Sequence, residues 1–305
     1  MGKALREPLL SPPHHYPLRT PNKLFVLAAF VTLGIVAALI CSSTTKYVAP
    51  ASITAQISPL LVELWETAKG GNKLTEVHLR SASMIPPANV TLVIWPDDEM
   101  QSIIGFGGAL TQASGVVWRK LNADLRRQVV ELFFGEQGIH ASLARVPINS
   151  CDFAEASYSL DDLPGDYTLS HFDARLPDDE EQLLPLVRAA LAVAGERLQL
   201  LASPWSPPAW MKSNGDMNGN GAPRGLRPEA AAAWAKYISR WLAAFSAHGA
   251  NVSWLTVQNE PLAPSPWEAC YFNATQEANF IANHLGPTLA VAAATGRHPP
   301  VALLG

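Results

Sequence analysis

Three cysteines are too few and too widely spaced to staple this chain: Cys41, Cys151 and Cys270 cannot all pair, and none of their spacings is the short one a zinc site uses. Neither a disulfide scaffold nor a metal is expected. Charge is sparse as well. Only 16% of the 305 residues are charged and the net charge is -4. No basic stripe supplies the clustered Lys and Arg that phosphate backbones require, which excludes nucleic acid as a partner. Small or neutral substrates remain open. A content of 48% hydrophobic residues is enough to bury one large domain or two smaller ones.

The run from Leu24 to Cys41, LFVLAAFVTLGIVAALIC, is uncharged and about long enough to span a bilayer core as a helix. Lys3, Arg6, Arg19 and Lys23 precede it, and Lys46 alone follows closely, so the positive-inside rule leaves the N-terminus cytosolic. The expectation is a single-pass type II anchor with the bulk of the chain lumenal or extracellular and membrane lipid as a partner. A cleaved signal peptide, with Ala49-Pro50-Ala51 as a loose site, is the competing reading. That site lies far from the apolar run. The tail before the run is Pro-rich and carries Leu9-Leu10, a dileucine pair of the kind used in sorting. Asn89, Asn251 and Asn273 open N-glycosylation triplets; Asn89 and Asn273 are the candidates, because Asn251 opens a strand expected to be buried.

From these features we divide the chain into a disordered tail (1–23), an anchor (24–41), a linker (42–61), part of an antiparallel β side domain (62–98) and half of a barrel (99–305). In the side domain, Gly70-Gly71 and Pro86-Pro87 mark turns and Thr91 to Trp95 reads as a strand. Beyond Gln101 the pattern alternates buried strands with amphipathic helices. A Gly-rich apolar segment at Ile103–Thr111 precedes a helix at Lys120–Phe134, and a strand at Ser142–Ile148 precedes a helix at Glu180–Ala194. Strands at Leu198–Ala202 and Ser253–Val257 bracket a helix at Pro228–His248, after which come a helix at Gln276–Ala294 and a strand from Val301 to Leu304.

Such repeats build either a (β/α)8 barrel or a doubly wound sheet. Asn149, Asp152, Trp205 and Asn259-Glu260 all follow strands, and in a barrel those ends converge on one face. A doubly wound nucleotide fold would need a phosphate loop, and Gly105-Phe-Gly107-Gly108 departs from G-x-G-x-x-G at Leu110. The fold class is therefore α/β, a (β/α)8 barrel of which this chain holds about the first half.

Gln258-Asn259-Glu260-Pro261 sets a carboxylate after an apolar strand that Pro terminates. Glycoside hydrolysis uses two carboxyls flanking the scissile bond, one of them protonated to serve the leaving oxygen, and Glu260 is the candidate for that acid. Asn259 is placed to bond a sugar hydroxyl. An Asn-Glu-Pro turn at a helix start, without chemistry, is the bland alternative. Ser203-Pro-Trp-Ser-Pro-Pro-Ala-Trp210 supplies aromatic faces on a stiff loop, either as a sugar platform or as packing that closes the barrel mouth. Arg145 and Asp152 flank the second strand's end, as a carboxylate holder and a hydroxyl acceptor or as a structural ion pair.

Gly105-Phe-Gly-Gly-Ala-Leu-Thr111, Arg145-Val-Pro-Ile-Asn-Ser-Cys-Asp-Phe153, Ala202-Ser-Pro-Trp-Ser-Pro-Pro-Ala-Trp-Met-Lys212, Thr256-Val-Gln-Asn-Glu-Pro261 and Phe280 to Leu289 follow one another as in glycoside hydrolase family 30. The Ser-Cys-Asp-Phe segment resembles the glucosylceramidase branch, and the resemblance runs from about Val62 to the last residue. It implies a (β/α)8 barrel with a side β-domain, retaining hydrolysis of β-glucosides such as glucosylceramide, no metal or organic cofactor, and an acidic compartment. By motif position Glu260 matches the acid/base, Asn259 and Asp152 match glucose-binding residues, Trp205 a sugar-contacting Trp and Arg145 an active-site Arg. Gln112 stands where the family usually has Asp, a change expected to alter local hydrogen bonds without touching the catalytic pair.

The family nucleophile is a Glu after a later strand than any in this chain, so the chain by itself is expected to be poorly folded or inactive. Two other readings share these residues: a β-1,6-glucanase or xylanase of the same family, and a catalytically dead, membrane-tethered protein that binds glycan or lipid.

Overall fold

The computed structural model describes residues 64–78, 95, 97–221 and 223–304. The expected tail, anchor and linker, the glycosylation candidate Asn89 and the strand expected before Trp95 lie outside these residues. No helix among the described residues is long and apolar enough to cross a membrane. The chain divides into two compact units, Met1–Ile94 and Trp95–Gly305. In the first, β1 (Trp65–Glu66) pairs antiparallel with β2 (Thr75–Glu76) across a turn at Gly70-Gly71.

The second unit is built on a parallel sheet of five strands, β3 (Gly107–Ala109), β4 (Leu143–Ile148), β5 (Gln199–Pro204), β6 (Val252–Thr256) and β7 (Ala302–Leu304), lying side by side in chain order. That order decides the topology. A doubly wound sheet reverses its strand order at a switch point, whereas a barrel adds each strand beside the last. Gly107 lets β3 lie against β4: a Cβ there would sit 1.7 Å from the Leu143 carbonyl oxygen.

Strand alternation sorts the residues onto two faces. Ala144, Val146, Ile148, Leu200, Ala202 and Leu255 are buried beneath the helices. The opposite face carries Ala109, Arg145, Leu201, Ser203, Trp254 and Thr256, as the register pairs Ala109 with Arg145, Arg145 with Leu201, and Leu201 with Trp254. In a closed barrel this second face is the interior. Among the described residues it forms an open apolar trough of about 440 Å³.

Helices break where the sequence supplies a cap or a proline. A helix that the sequence reading did not foresee, α1 (Gln112–Arg119), comes first; the helix expected at Lys120–Phe134 is α2 (Ala123–Phe134), which starts three residues later than expected because Asn122 caps it by accepting from the Leu125 amide. The expected Glu180–Ala194 helix is split at Leu183 into α3 (Pro177–Gln182) and α4 (Leu184–Ala194), where Pro185 removes a backbone donor. After a short 3₁₀ turn at Pro228–Ala230, α5 (Ala231–Ala247) buries Trp234, Tyr237, Trp241 and Phe245 against the sheet. The last helical run comprises α6 (Ala274–Phe280), a π turn at Ile281–Leu285 and α7 (Gly286–Ala294). Pro287 cannot donate to a preceding carbonyl, and the Gly286 amide reaches back to Ile281, widening the turn.

Gly115 on α1 sits against the α3–α4 junction, where a Cβ would fall 1.7 Å from the Gln182 carbonyl oxygen. Gly115→Ala is therefore expected to destabilise the fold by about 1–3 kcal/mol despite alanine's better helix propensity, read as a lowered urea midpoint. An unchanged or raised midpoint would mean the two helices separate freely.

Candidate active site

The C-terminal ends of β4, β5 and β6 bring five sequence-singled residues into one neighbourhood. Arg145 projects from the barrel-interior face of β4. Its Nε donates to Ser203 Oγ on β5 at 2.9 Å and its Nη2 to Asn259 Oδ1 beyond β6 at 2.8 Å. The guanidinium lies over the Trp205 ring, 4.6 Å from its centroid. Thr256 Oγ1 donates to Ser203 Oγ at 2.7 Å, so one hydrogen-bonded chain runs across three strands.

Burial pulls the Arg145 guanidinium below its ordinary value, while the carboxylates of Glu260 and Asp152 act in the opposite direction. Both carboxylates therefore lie within electrostatic reach of one cation. The alternative reading, a structural Arg145–Asp152 ion pair, is not formed among the described residues: Asn259 takes the guanidinium, and Asp152 is exposed.

Trp205 is 7% exposed, with one face under Arg145. Little of its ring is open to a ligand. The exposed aromatic of that loop is nearer Trp210, which is half-buried, donates its Nε1–H to the Asp161 carbonyl at 2.9 Å and meets Tyr167 edge-on.

Backbone geometry marks the strand ends. Asn149 and Glu260 have φ of 64° and 45°, in the left-handed region that non-glycine residues seldom enter. Each turn is pinned from outside. Asn149 Nδ2 donates to the Ser206 carbonyl, and its Oδ1 accepts from the buried Tyr237 hydroxyl of α5. The Asn259 amide donates to the Pro204 carbonyl at 2.8 Å, and Gln258 Nε2 donates to the Trp205 carbonyl at 2.7 Å. Glu260 itself is exposed.

Beneath the β4 end lies a polar network that centres on Gln112, which is fully buried. Its Nε2 donates to the Asn149 carbonyl and Asp179 Oδ1, each at 3.4 Å, and to the Tyr158 hydroxyl; its Oε1 accepts from Cys151 Sγ. Gln112 thus holds the segment that presents Asp152, a closer involvement than a change in local bonding. Burial pushes Asp179 up to about 7 and the Cys151 thiol up to about 12, so Cys151 is no nucleophile. Cys270 is also a free, buried thiol, and no His/Cys/Asp/Glu cluster among the described residues could hold a metal.

The loop after β5 is fastened by Lys212, whose buried Nζ donates to the carbonyls of Met217 and Asn218 at 2.7 and 3.1 Å. Burial brings its ammonium down to about 8. Of the glycosylation candidates, Asn273 is exposed and caps α6; Asn251 is exposed too, one residue before the strand, contrary to its expected burial. Sequence reading missed Ser203, Thr256, Gln258 and Tyr237. A signal existed for the first two, small hydroxyls at the last interior-facing positions of otherwise apolar strands.

Arg145→Met keeps the stem but removes both charge-assisted bonds, and is expected to cost about 1.5–3 kcal/mol in denaturant unfolding. Arg145→Lys should recover only part of this, since its single nitrogen does not reproduce the separate positions of Nε and Nη2 that reach Ser203 and Asn259. Equal stability of the three proteins would remove Arg145 as the tie between strands.

Residues 103–304 match the glycosyl hydrolase family 30 TIM-barrel domain. The chain is 34% identical over 205 residues to the lysosomal acid glucosylceramidase of Mus musculus, covering 65% of this chain and 39% of that protein. It is 32% identical over 196 residues to an endo-1,6-beta-D-glucanase of Neurospora crassa, covering 64% and 41%. Among solved structures, SrfJ from Salmonella typhimurium superposes with a TM-score of 0.65 at 34% identity, over 75% of this chain and 50% of that one. The chain spans less than half the length of these curated relatives.

Proposed function

The chain belongs to glycosyl hydrolase family 30, and from that membership we propose that it carries the acid/base half of a retaining β-glucosidase that acts on glucosylceramide. The observation that carries this reading is the tie of Arg145 to Asn259 and Trp205, with Glu260 as the next residue on a constrained turn.

In the proposed reaction Glu260 protonates the leaving glycosidic oxygen while a second carboxylate attacks the anomeric carbon. Glu260 then removes a proton from the water that releases the sugar. Asn259, oriented by Arg145, bonds a hydroxyl beside the reacting carbon. Asp152, exposed and without a hydrogen-bond partner among the described residues, accepts from hydroxyls farther round the ring, and Trp205 closes the floor. No metal or organic cofactor enters these steps. The second carboxylate belongs to a later strand of the barrel. We further propose that the apolar run at 24–41 anchors the protein, with the barrel on the lumenal or outer side, close to a substrate that resides in a bilayer.

The glucosylceramide preference rests on the Ser150-Cys-Asp-Phe153 segment and on identity to a glucosylceramidase. The glucanase relative keeps β-1,6-glucan as the competing substrate. Initial rates of the full-length protein on glucosylceramide, β-1,6-glucan and xylan separate the two. Faster release of glucose from glucosylceramide is expected; faster cleavage of either polysaccharide would replace the lipid with a polymer as substrate.

A further inference from the structure

We propose that a recess between the loop after β5 and the helix after β6 binds a single pyranose ring, apart from the strand-end cluster. The cavity holds about 230 Å³ and is lined by Arg227, Tyr271, Gln276, Asn279, Asn283 and His284, over the buried rings of Phe272 and Phe280. That volume is below the roughly 300–1,000 Å³ of a site for a drug-sized ligand, so it suits one sugar ring rather than a chain.

The lining has the chemistry of a sugar site. Gln276, Asn279 and Asn283 follow at spacings of three and four on one helical face, and the π turn brings His284 in beside them, stacked on Phe280 at 6.2 Å. The side-chain amides of Asn279 and Asn283 both donate and accept, as neighbouring sugar hydroxyls do, whereas Gln276 Oε1 already accepts from the Asn273 backbone amide and leaves its Nε2 to donate. Tyr271, half-buried at the rim, offers apolar surface to the ring's C–H face, and the buried Phe272 and Phe280 form the floor beneath it. No carboxylate among the described residues lines the cavity, which disfavours a cation. Arg227 is its one permanent charge, and Arg227 Nε is already committed to the Lys212 carbonyl at 2.8 Å. The Phe272 amide donates to the Pro261 carbonyl at 2.8 Å, tying the wall of the recess to the residue after Glu260.

A pyranose reaches this recess from two sources, a saccharide in solution or a glycan carried on Asn273 at its rim. Asn273 Oδ1 accepts from the Gln276 amide, which leaves Nδ2, the atom of glycan attachment, free of that bond.

The test is saturation-transfer NMR with methyl β-glucoside and N-acetylglucosamine on the full chain from a host that does not N-glycosylate. Transfer is expected in an Asp152→Asn background, which removes a sugar contact proposed at the strand ends, and is weakened at least about tenfold in affinity when Asn279→Ala/Asn283→Ala is added. Both asparagines are exposed helix positions where alanine is well tolerated, so loss of fold does not mimic loss of binding. Absence of transfer in that background, or transfer indifferent to the double variant, would each overturn the proposal. Repeating the measurement on chain from a glycosylating host, with and without Thr275→Ala, identifies the source. That change removes the acceptor triplet and keeps the Asn273 cap. Free sugar that binds only after it means the attached glycan fills the recess; binding in both means a dissolved saccharide does.

Discussion

Replacing Glu260 by Gln is expected to lower kcat about 10²–10⁴-fold on a β-glucoside whose leaving oxygen must be protonated, and far less on an aryl glucoside that leaves as a stable anion. The contrast is specific to a general acid. A glutamine of the same shape keeps the turn after β6 and the Asn259 contact to Arg145, so positioning survives while the donated proton does not. Azide added to the variant should restore turnover of the activated substrate by standing in for the base-assisted water. Equal loss on both substrates would mean Glu260 holds the site together instead of moving a proton. The comparison requires a barrel that carries both carboxyls.

The 305-residue chain by itself is expected to turn over neither substrate. Retaining hydrolysis needs a second carboxyl about 5–5.5 Å from the first, and the other carboxylate near Arg145 among the described strand ends is Asp152. Turnover by this chain that disappears in both Glu260→Gln and Asp152→Asn would make Asp152 the missing partner and would overturn its role as a hydroxyl acceptor.

Strand ends were the most legible part of this protein, because their signal is local. An apolar run followed by Asn149 or Asn259-Glu260 reads directly as a strand feeding an active-site loop, and the structure agrees to within two residues for β4, β5 and β6. Helix limits were less legible. The periodicity at Lys120–Phe134 carries no warning that Asn122 will cap a fresh helix, because a cap competes with helix continuation by a single hydrogen bond. Contacts across strands were not legible at all. Arg145 read as the neighbour of Asp152, seven positions away; it bonds Asn259, 114 positions away, because the register sets the two strand ends side by side. The same non-locality hid the partner of Gln112, since nothing near it in sequence announces Asp179.

That buried pair sets a pH dependence opposite to the usual carboxylate's. Asp179 is fully buried on α3, accepts from the Tyr158 hydroxyl at 2.8 Å and has a second oxygen, Oδ2, without a hydrogen-bond partner among the described residues. Burial raises its carboxyl from about 3.8 to about 7. In the unfolded chain the group ionises near 3.9, so between about pH 4 and pH 7 the native state holds a proton that the unfolded state has released. Stability from this group is complete below about pH 4 and is lost as pH rises through 7. At about 1.4 kcal/mol per unit the loss is on the order of 4 kcal/mol. Burial of Asp161, Asp178 and Glu277 adds to the same slope, whereas Glu180, pulled down to about 2 by its bond to Arg188, acts below this window. Asp179→Asn isolates the main contributor. The amide carbonyl still accepts from Tyr158 and Gln112 but cannot ionise, so the variant should unfold at a nearly level urea midpoint from pH 4.5 to 7.5 while the parent's falls. The same descent in both proteins would place the titration elsewhere. Because Gln112 and Tyr158 link Asp179 to the Asn149 carbonyl and the segment bearing Asp152, ionisation is expected to disturb the end of β4 proposed to face the sugar before the fold gives way. Affinity for glucose should therefore weaken with rising pH in the parent and hold level in Asp179→Asn.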